Sequence, residues 1–256
     1  MEKNLPVINV VTTSAGYTID KIGVLPRVSN ILSMAAFGAN ILKKWEYSLF
    51  KKYLESQGDI SYTREKLIQI ADEAYNQPKI VVKGACKYGS DSHLTIETRL
   101  TTGEIVPIPE QDYASAQVMM QSIDKFFKDF GITKEDTFAC EQFIYSTIYG
   151  YAGTIDYIMK KNGFLHILDW KTSSHISHKY PLQIAAYIKA LEERFKEWNI
   201  NEKIAGATIV KFDKKVPGYE LFCFTREEAE RYFTLFLNCL NLYNYENSDM
   251  RSFKLF

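Results

Sequence analysis

Residues Tyr151 to Met159 and Phe164 to Asp169 are two runs rich in β-branched and aromatic side chains, parted by the polar stretch Lys160-Lys161-Asn162-Gly163. Asn-Gly between two such runs predicts an antiparallel hairpin closed by a type I′ turn. Upstream, the pattern predicts a short extended start (Pro6 to Val11), helices over Ser29 to Leu54 and Thr63 to Tyr75, and a break at Gln77-Pro78. A helix over Ser90 to Leu100, capped by Ser90 or Asp91, and another from Glu110 to Phe130 follow. A strand over Thr137 to Tyr145 precedes the hairpin. Downstream come a helix opened by Pro181 and running to Trp198, strands over Ile204 to Phe212 and Tyr219 to Phe224, and a last helix opened by the capping box Thr225-Arg226-Glu227-Glu228. Helix, three strands, helix, strand and strand describe an α/β sheet flanked by helices.

The tight turn sets a register. If Asn162 and Gly163 are its two central residues, Lys161 faces Phe164 and Asp156 falls opposite Asp169, with Cβ atoms about 4.5–5.5 Å apart. Lys171 lies two residues beyond Asp169 and shares its face, opposite Thr154, while Ile155, Tyr157, Leu168 and Trp170 take the other face. A slip of one residue would put the two acids on opposite faces. Opposed carboxylates in an apolar sheet repel unless one is protonated or a cation lies between them. A hard divalent ion resolves the repulsion, because Mg²⁺ takes one or two carboxylates and completes its shell with water and phosphate oxygens. The plainer reading is a buried Asp–Lys ion pair with a second acid on its rim. Glu141, in the strand before the hairpin, either assists such a cation or faces solvent, and the pattern favours solvent.

Composition narrows the classes. The chain has 256 residues, 46% of them hydrophobic and 14% aromatic, enough for a substantial core and against disorder. No apolar run approaches about 18 residues and no secretory h-region opens the chain, so the expectation is a cytoplasmic protein without a membrane contact. Thirty-one basic residues balance thirty-one acidic ones, so any nucleic-acid binding must rest on local charge. Lys43-Lys44 and Lys51-Lys52, close to Trp45, Tyr47 and Tyr53, offer such charge beside rings that stack on unpaired bases, although lysine pairs are more often solvated helix faces. Cys86, Cys140, Cys223 and Cys239 are scattered, with no C-x-x-C. His175 and His178 form a lone H-x-x-H, too little for a zinc site.

Gly153-Thr154-Ile155-Asp156, then Asp169-Trp170-Lys171, then Gln183 and Tyr187 resemble, in order, the D, D-x-K and Q-x-x-x-Y motifs of the RecB-type branch of the PD-(D/E)XK nuclease superfamily. Gly89-Ser90-Asp91-Ser92-His93 resembles the G-x-x-x-H element of that branch. The resemblance spans roughly residues 79 to 224 and implies a restriction-endonuclease-like fold: a central mixed β-sheet flanked by helices, with residues 1–78 as an N-terminal helical extension on a nuclease core of residues 79–256. It implies His93, Asp156, Asp169 and the Trp170 carbonyl as ligands of Mg²⁺ or Mn²⁺, and Asp156, Asp169 and Lys171 as the catalytic set. Gln183 and Tyr187, one helical turn apart, would face the substrate. Tyr187 in an apolar helix also reads as core packing, whereas an amide such as Gln183 is costly to bury without a partner.

What the resemblance implies is a DNA exonuclease acting on single strands or duplex ends in recombination, repair or phage DNA processing, with a single-strand annealing protein as the partner to look for. The scattered cysteines argue against the iron–sulfur cluster of some relatives. The alternatives are a structure-specific or restriction-type endonuclease and a non-catalytic nucleic-acid-binding protein on the same fold. Asp169 stands where many relatives carry Glu, which shortens the reach of that ligand.

Overall fold

The computed structural model describes residues 5–14, 16–35, 39–58, 61–109 and 113–248. By compactness the chain divides into two units, one of Met1–Ala35 with Ser92–Phe256, the other of Ala36–Asp91.

The first unit is built on a five-stranded sheet of β4 (Thr137–Ser146), β5 (Tyr151–Lys161), β6 (Phe164–Lys171), β7 (Lys203–Phe212) and β8 (Tyr219–Thr225), in that spatial order. All neighbours are antiparallel except β6 and β7, which run parallel. Their connection is α5 (Lys179–Arg194), since parallel strands cannot be joined by a tight turn. α5, α6 (Arg226–Glu246) and the short α1 (Val28–Ser33) share one core with the sheet, and small residues such as Ala185, Ala186 and Ala190 give α5 a buried face. The predicted capping box of α6 is present, with Thr225 Oγ1 accepting from the Glu228 amide and Glu228 Oε2 accepting from the Thr225 amide at 2.8 Å.

α4 (Tyr113–Phe130) supplies Phe126 and Phe127 to an aromatic cluster with Trp170, Tyr157 and Phe212 on the sheet. Its expected first residue, Glu110, lies outside the described residues. Near the N-terminus, β1 (Val10–Thr12), β2 (Tyr17–Ile19) and β3 (Gly23–Leu25) form an antiparallel meander where the pattern predicts a single extended start. Strands of three residues are too short to register as a period in sequence.

The hairpin has the predicted register. Lys161 pairs with Phe164, and the ladder continues to Tyr157 opposite Leu168. Asn162 and Gly163 have φ of 52° and 81°, both left-handed, as a type I′ turn requires. The ladder stops one step short of the acids: β5 continues on β4 as far as Tyr151, while β6 continues on β7, where Lys171 pairs with Lys211 rather than facing Thr154. Ile155 also departs from expectation. It joins the core under α5, whereas Tyr157 stacks on Trp170, so the alternation of β5 breaks at Asp156.

The second unit holds α2 (Ala39–Glu55) and most of α3 (Arg64–Thr102). The break predicted at Gln77-Pro78 is absent, because α3 runs through Pro78. Proline removes one N–H from the ladder. In the turn before it, Asn76 Nδ2 donates to the Asp72 carbonyl at 2.9 Å and Gln77 Nε2 to the Glu73 carbonyl at 3.1 Å, which adds donors there. For the same reason Ser90 and Asp91 are interior to a helix rather than caps. Tyr53 Oη donates to Glu73 Oε2 at 2.5 Å and ties α2 to α3.

An added Cβ at Gly163 meets nothing within 4 Å, so Gly163→Ala tests the turn's backbone alone. Urea unfolding should show a loss of about 1–2 kcal/mol; an unchanged midpoint would mean that the turn does not hold the register.

Candidate active site

Where β5 and β6 part, side chains replace the missing ladder. Asp156 Oδ2 accepts from the Trp170 amide at 2.8 Å, so a carboxylate fills the place of a strand partner. Asp169 is 2% exposed and meets Lys171 Nζ at 2.6 Å through Oδ2, while its Oδ1 has no hydrogen-bond partner among the described residues. Lys171 Nζ lies on its other side 4.8 Å from the centre of the Tyr180 ring, at the start of α5.

His93, near the C-terminal end of α3, donates from Nε2 to the Trp170 carbonyl at 3.0 Å. A carbonyl can only accept, so Nε2 carries the proton. Nδ1 then faces Asp156 Oδ2 at 3.7 Å and Glu141 Oε1 at 3.8 Å. Ligand atoms of His93, Glu141 and Asp156 all lie within 4.8 Å of one another. Glu141 is exposed, as the pattern favours, and its carboxylate also comes near the histidine, so the two readings of this residue are not exclusive. Its φ is 44°, a left-handed value that a non-glycine residue inside a strand adopts at a cost. It stands between Cys140, paired with Tyr157, and Gln142, paired with Ile155, and so opposite Asp156. The sequence held a signal for this: once the turn between β4 and β5 is placed at residues 147–150, the same register arithmetic that pairs the aspartates brings Glu141 to Asp156.

Gln183 Nε2 donates to Tyr187 Oη at 2.9 Å along one face of α5. Tyr187 is buried, and a Cβ at Gly153 would overlap its ring, so glycine there lets the tyrosine lie against β5 three residues before Asp156. Gln183 is half-buried. The tyrosine thus holds the amide in place.

Burial pushes the Asp169 carboxyl up to about 6; Lys171 opposes this and Asp156 adds to it. For Lys171 burial disfavours the charge, but Asp169 and Asp156 outweigh it and the ammonium is held above its ordinary value. Burial likewise lowers His93, yet the charge of Asp156 and the bond to Glu141 prevail and raise it. Glu97, one turn along α3, is raised by burial and then by Glu141. The site is thus short of positive charge. The convergent imidazole and carboxylates of His93, Glu141 and Asp156 are a donor set that suits a hard divalent cation; Asp169, which keeps an oxygen without a hydrogen-bond partner, is not one of the three converging groups, and the Trp170 carbonyl is tied to His93.

The sequence profile of the PD-(D/E)XK nuclease superfamily matches residues 65–250. The chain belongs to the PD-(D/E)XK nuclease superfamily. Nucleases of this superfamily use divalent metals, in keeping with the acidic group at the end of the β5–β6 ladder. The mixed five-stranded sheet with helices on it is the fold expected of the superfamily. Among solved structures, the chain is similar to a Eubacterium rectale protein provisionally described as an exonuclease, at 13% identity and a TM-score of 0.42, over 87% of this chain and 82% of that one. No curated protein matches the chain. Among the described residues no helix is long and apolar enough to cross a membrane.

Asp169 and His93 both hold a proton more tightly in the folded, cation-free protein than in the unfolded chain. Their contribution to stability therefore falls as pH rises, from about 4 up to about 6 for Asp169 and above 6.5 for His93. A bound cation needs both groups deprotonated, so Mn²⁺ should raise the melting temperature little at pH 5 and increasingly toward pH 8. Thermal shift with and without Mn²⁺ reads this directly, and His93→Gln should flatten the pH dependence above 6.5.

Proposed function

We propose that this nuclease is a Mg²⁺- or Mn²⁺-dependent DNA exonuclease of the RecB-type branch, hydrolysing single strands or duplex ends. The observation that supports it most is the buried Asp169–Lys171 pair set beside the convergent His93, Glu141 and Asp156. In a merely structural ion pair the adjacent acids would add only repulsion, and both Asp169 oxygens would find partners.

In this reading His93, Asp156, Asp169 and the Trp170 carbonyl hold the cation, with Glu141 as an added ligand. The cation, when bound, neutralises the carboxylates and polarises a phosphate oxygen. Lys171, fixed between Asp169 and the Tyr180 ring, orients the attacking water and offsets charge that develops on phosphorus. Gln183, braced by Tyr187, presents its amide to the substrate strand. The histidine on α3 is what favours the RecB-type branch. The division into residues 1–78 and 79–256 follows the family resemblance; by compactness the segment before residue 36 belongs with the sheet and residues 36–91 form the helical unit. An annealing protein that receives the exposed strand is the partner such an activity would suit in recombination, repair or phage DNA processing.

Asp169→Ala and Lys171→Ala should each reduce Mg²⁺-dependent digestion of end-labelled oligonucleotides by about 10²-fold or more while leaving the circular dichroism spectrum unchanged. Either variant retaining full activity would refute the assignment. Closed-circular DNA should stay intact while the linear form is digested; nicking of the circle would make the enzyme an endonuclease, and metal-independent binding without cutting would make it neither.

A further inference from the structure

The helical unit of residues 36–91 carries a basic and aromatic cleft that the catalytic site does not explain. On α2, Lys43, Tyr47 and Lys51 recur every fourth residue, and on α3, Tyr75, Lys79 and Lys83 do the same, so each set forms one stripe along its helix, with about 6 Å between successive members. The two stripes meet in a cleft of about 440 Å³ lined by Lys43, Tyr47, Phe50, Tyr75 and Lys79, with Glu46 as its one acid among the described lining residues. Tyr47 is 67% exposed and Tyr75 is 68% exposed, and α2 has no buried residue.

Tyrosines recruited only for packing would be covered, and a protein-binding patch depends on apolar contact rather than on lysines set one turn from each ring. Exposed rings with ammonium groups at a regular interval beside them match a polymer that alternates flat bases with anionic phosphates. Lys79 Nζ sits over one face of the Tyr75 ring, 5.2 Å from its centre, which keeps a positive charge against that ring. Duplex DNA keeps its base faces stacked inside and offers none to a tyrosine.

We propose that the α2–α3 cleft binds the unpaired bases of single-stranded DNA, with Tyr47 and Tyr75 stacking and Lys43 and Lys79 meeting the flanking phosphates. The inference rests on the nuclease reading for its choice of polymer, but it concerns residues with no part in the chemistry. It gives the protein a hold on the strand separate from the site that cuts it.

The test is fluorescence anisotropy of a labelled oligo-dT in EDTA, where no cleavage occurs, with a labelled duplex alongside. Tyr47→Ala and Tyr75→Ala should each weaken single-strand binding by about 10-fold or more, with duplex binding unchanged and affinity restored by the corresponding Phe variants. Lys43→Gln with Lys79→Gln should reduce the steepness with which affinity falls as salt is added. Oligo-dT affinity untouched by the Ala variants, or absent from the wild type, overturns the cleft. So does sedimentation showing that the same variants abolish self-association instead, which would make it a protein interface. Groove-dependent binding in a wild type that never cuts DNA with Mg²⁺ would uphold this proposal and sink the nuclease reading, so the two failures are distinct.

Discussion

Repulsion among closely set carboxylates is the constraint around which this molecule is arranged. Asp156 and Asp169 lie one step past the end of the β5–β6 ladder, where the strands go to different partners. That separation lets each acid be treated differently: Asp156 substitutes for a backbone acceptor and Asp169 takes a lysine. The second arrangement leaves an Asp169 oxygen without a hydrogen-bond partner, and the left-handed backbone at Glu141 adds a further cost at the same level of the sheet. Unsatisfied groups and strained backbone gathered at one point, inside an otherwise well-packed core, are what a site made for a cation and an anionic substrate requires.

The parts of the fold set by short-range geometry could be read from sequence. The Asn162-Gly163 turn dictated the β5–β6 register, and the Thr225 to Glu228 capping box marked the start of α6, because each is a local hydrogen-bonding arrangement with few alternatives. The motif residues could be found because strand pairing and helix spacing bring them together: Lys171 beside Asp169, and Gln183 one turn from Tyr187.

What was not legible depends on contacts between segments distant in sequence or on small breaks of regularity. Pro78 reads as a stop, yet side-chain amides at 76 and 77 supplement the carbonyls before it and the helix persists. Glu141 is exposed, as its strand pattern reads, but its approach to His93 was not legible because alternation assumes a regular backbone and the strand is irregular at that residue. The slip at Asp156 that sends Ile155 and Tyr157 to different cores is invisible for the same reason. The three-residue strands β1 to β3 carry no periodic signal at all.

Trp170 has its indole in the aromatic cluster with Phe126, Phe127, Tyr157 and Phe212, while its main-chain amide and carbonyl bind Asp156 and His93. The packing of the indole therefore sets the position of the polar atoms that the same residue's backbone holds. Trimming a distant phenylalanine would shift that tryptophan and with it the geometry around the carboxylates. In this protein, mutations that loosen the oily core behind the sheet would behave as lesions in hydrolysis, and random screens for lost activity would recover them among residues that never touch a substrate.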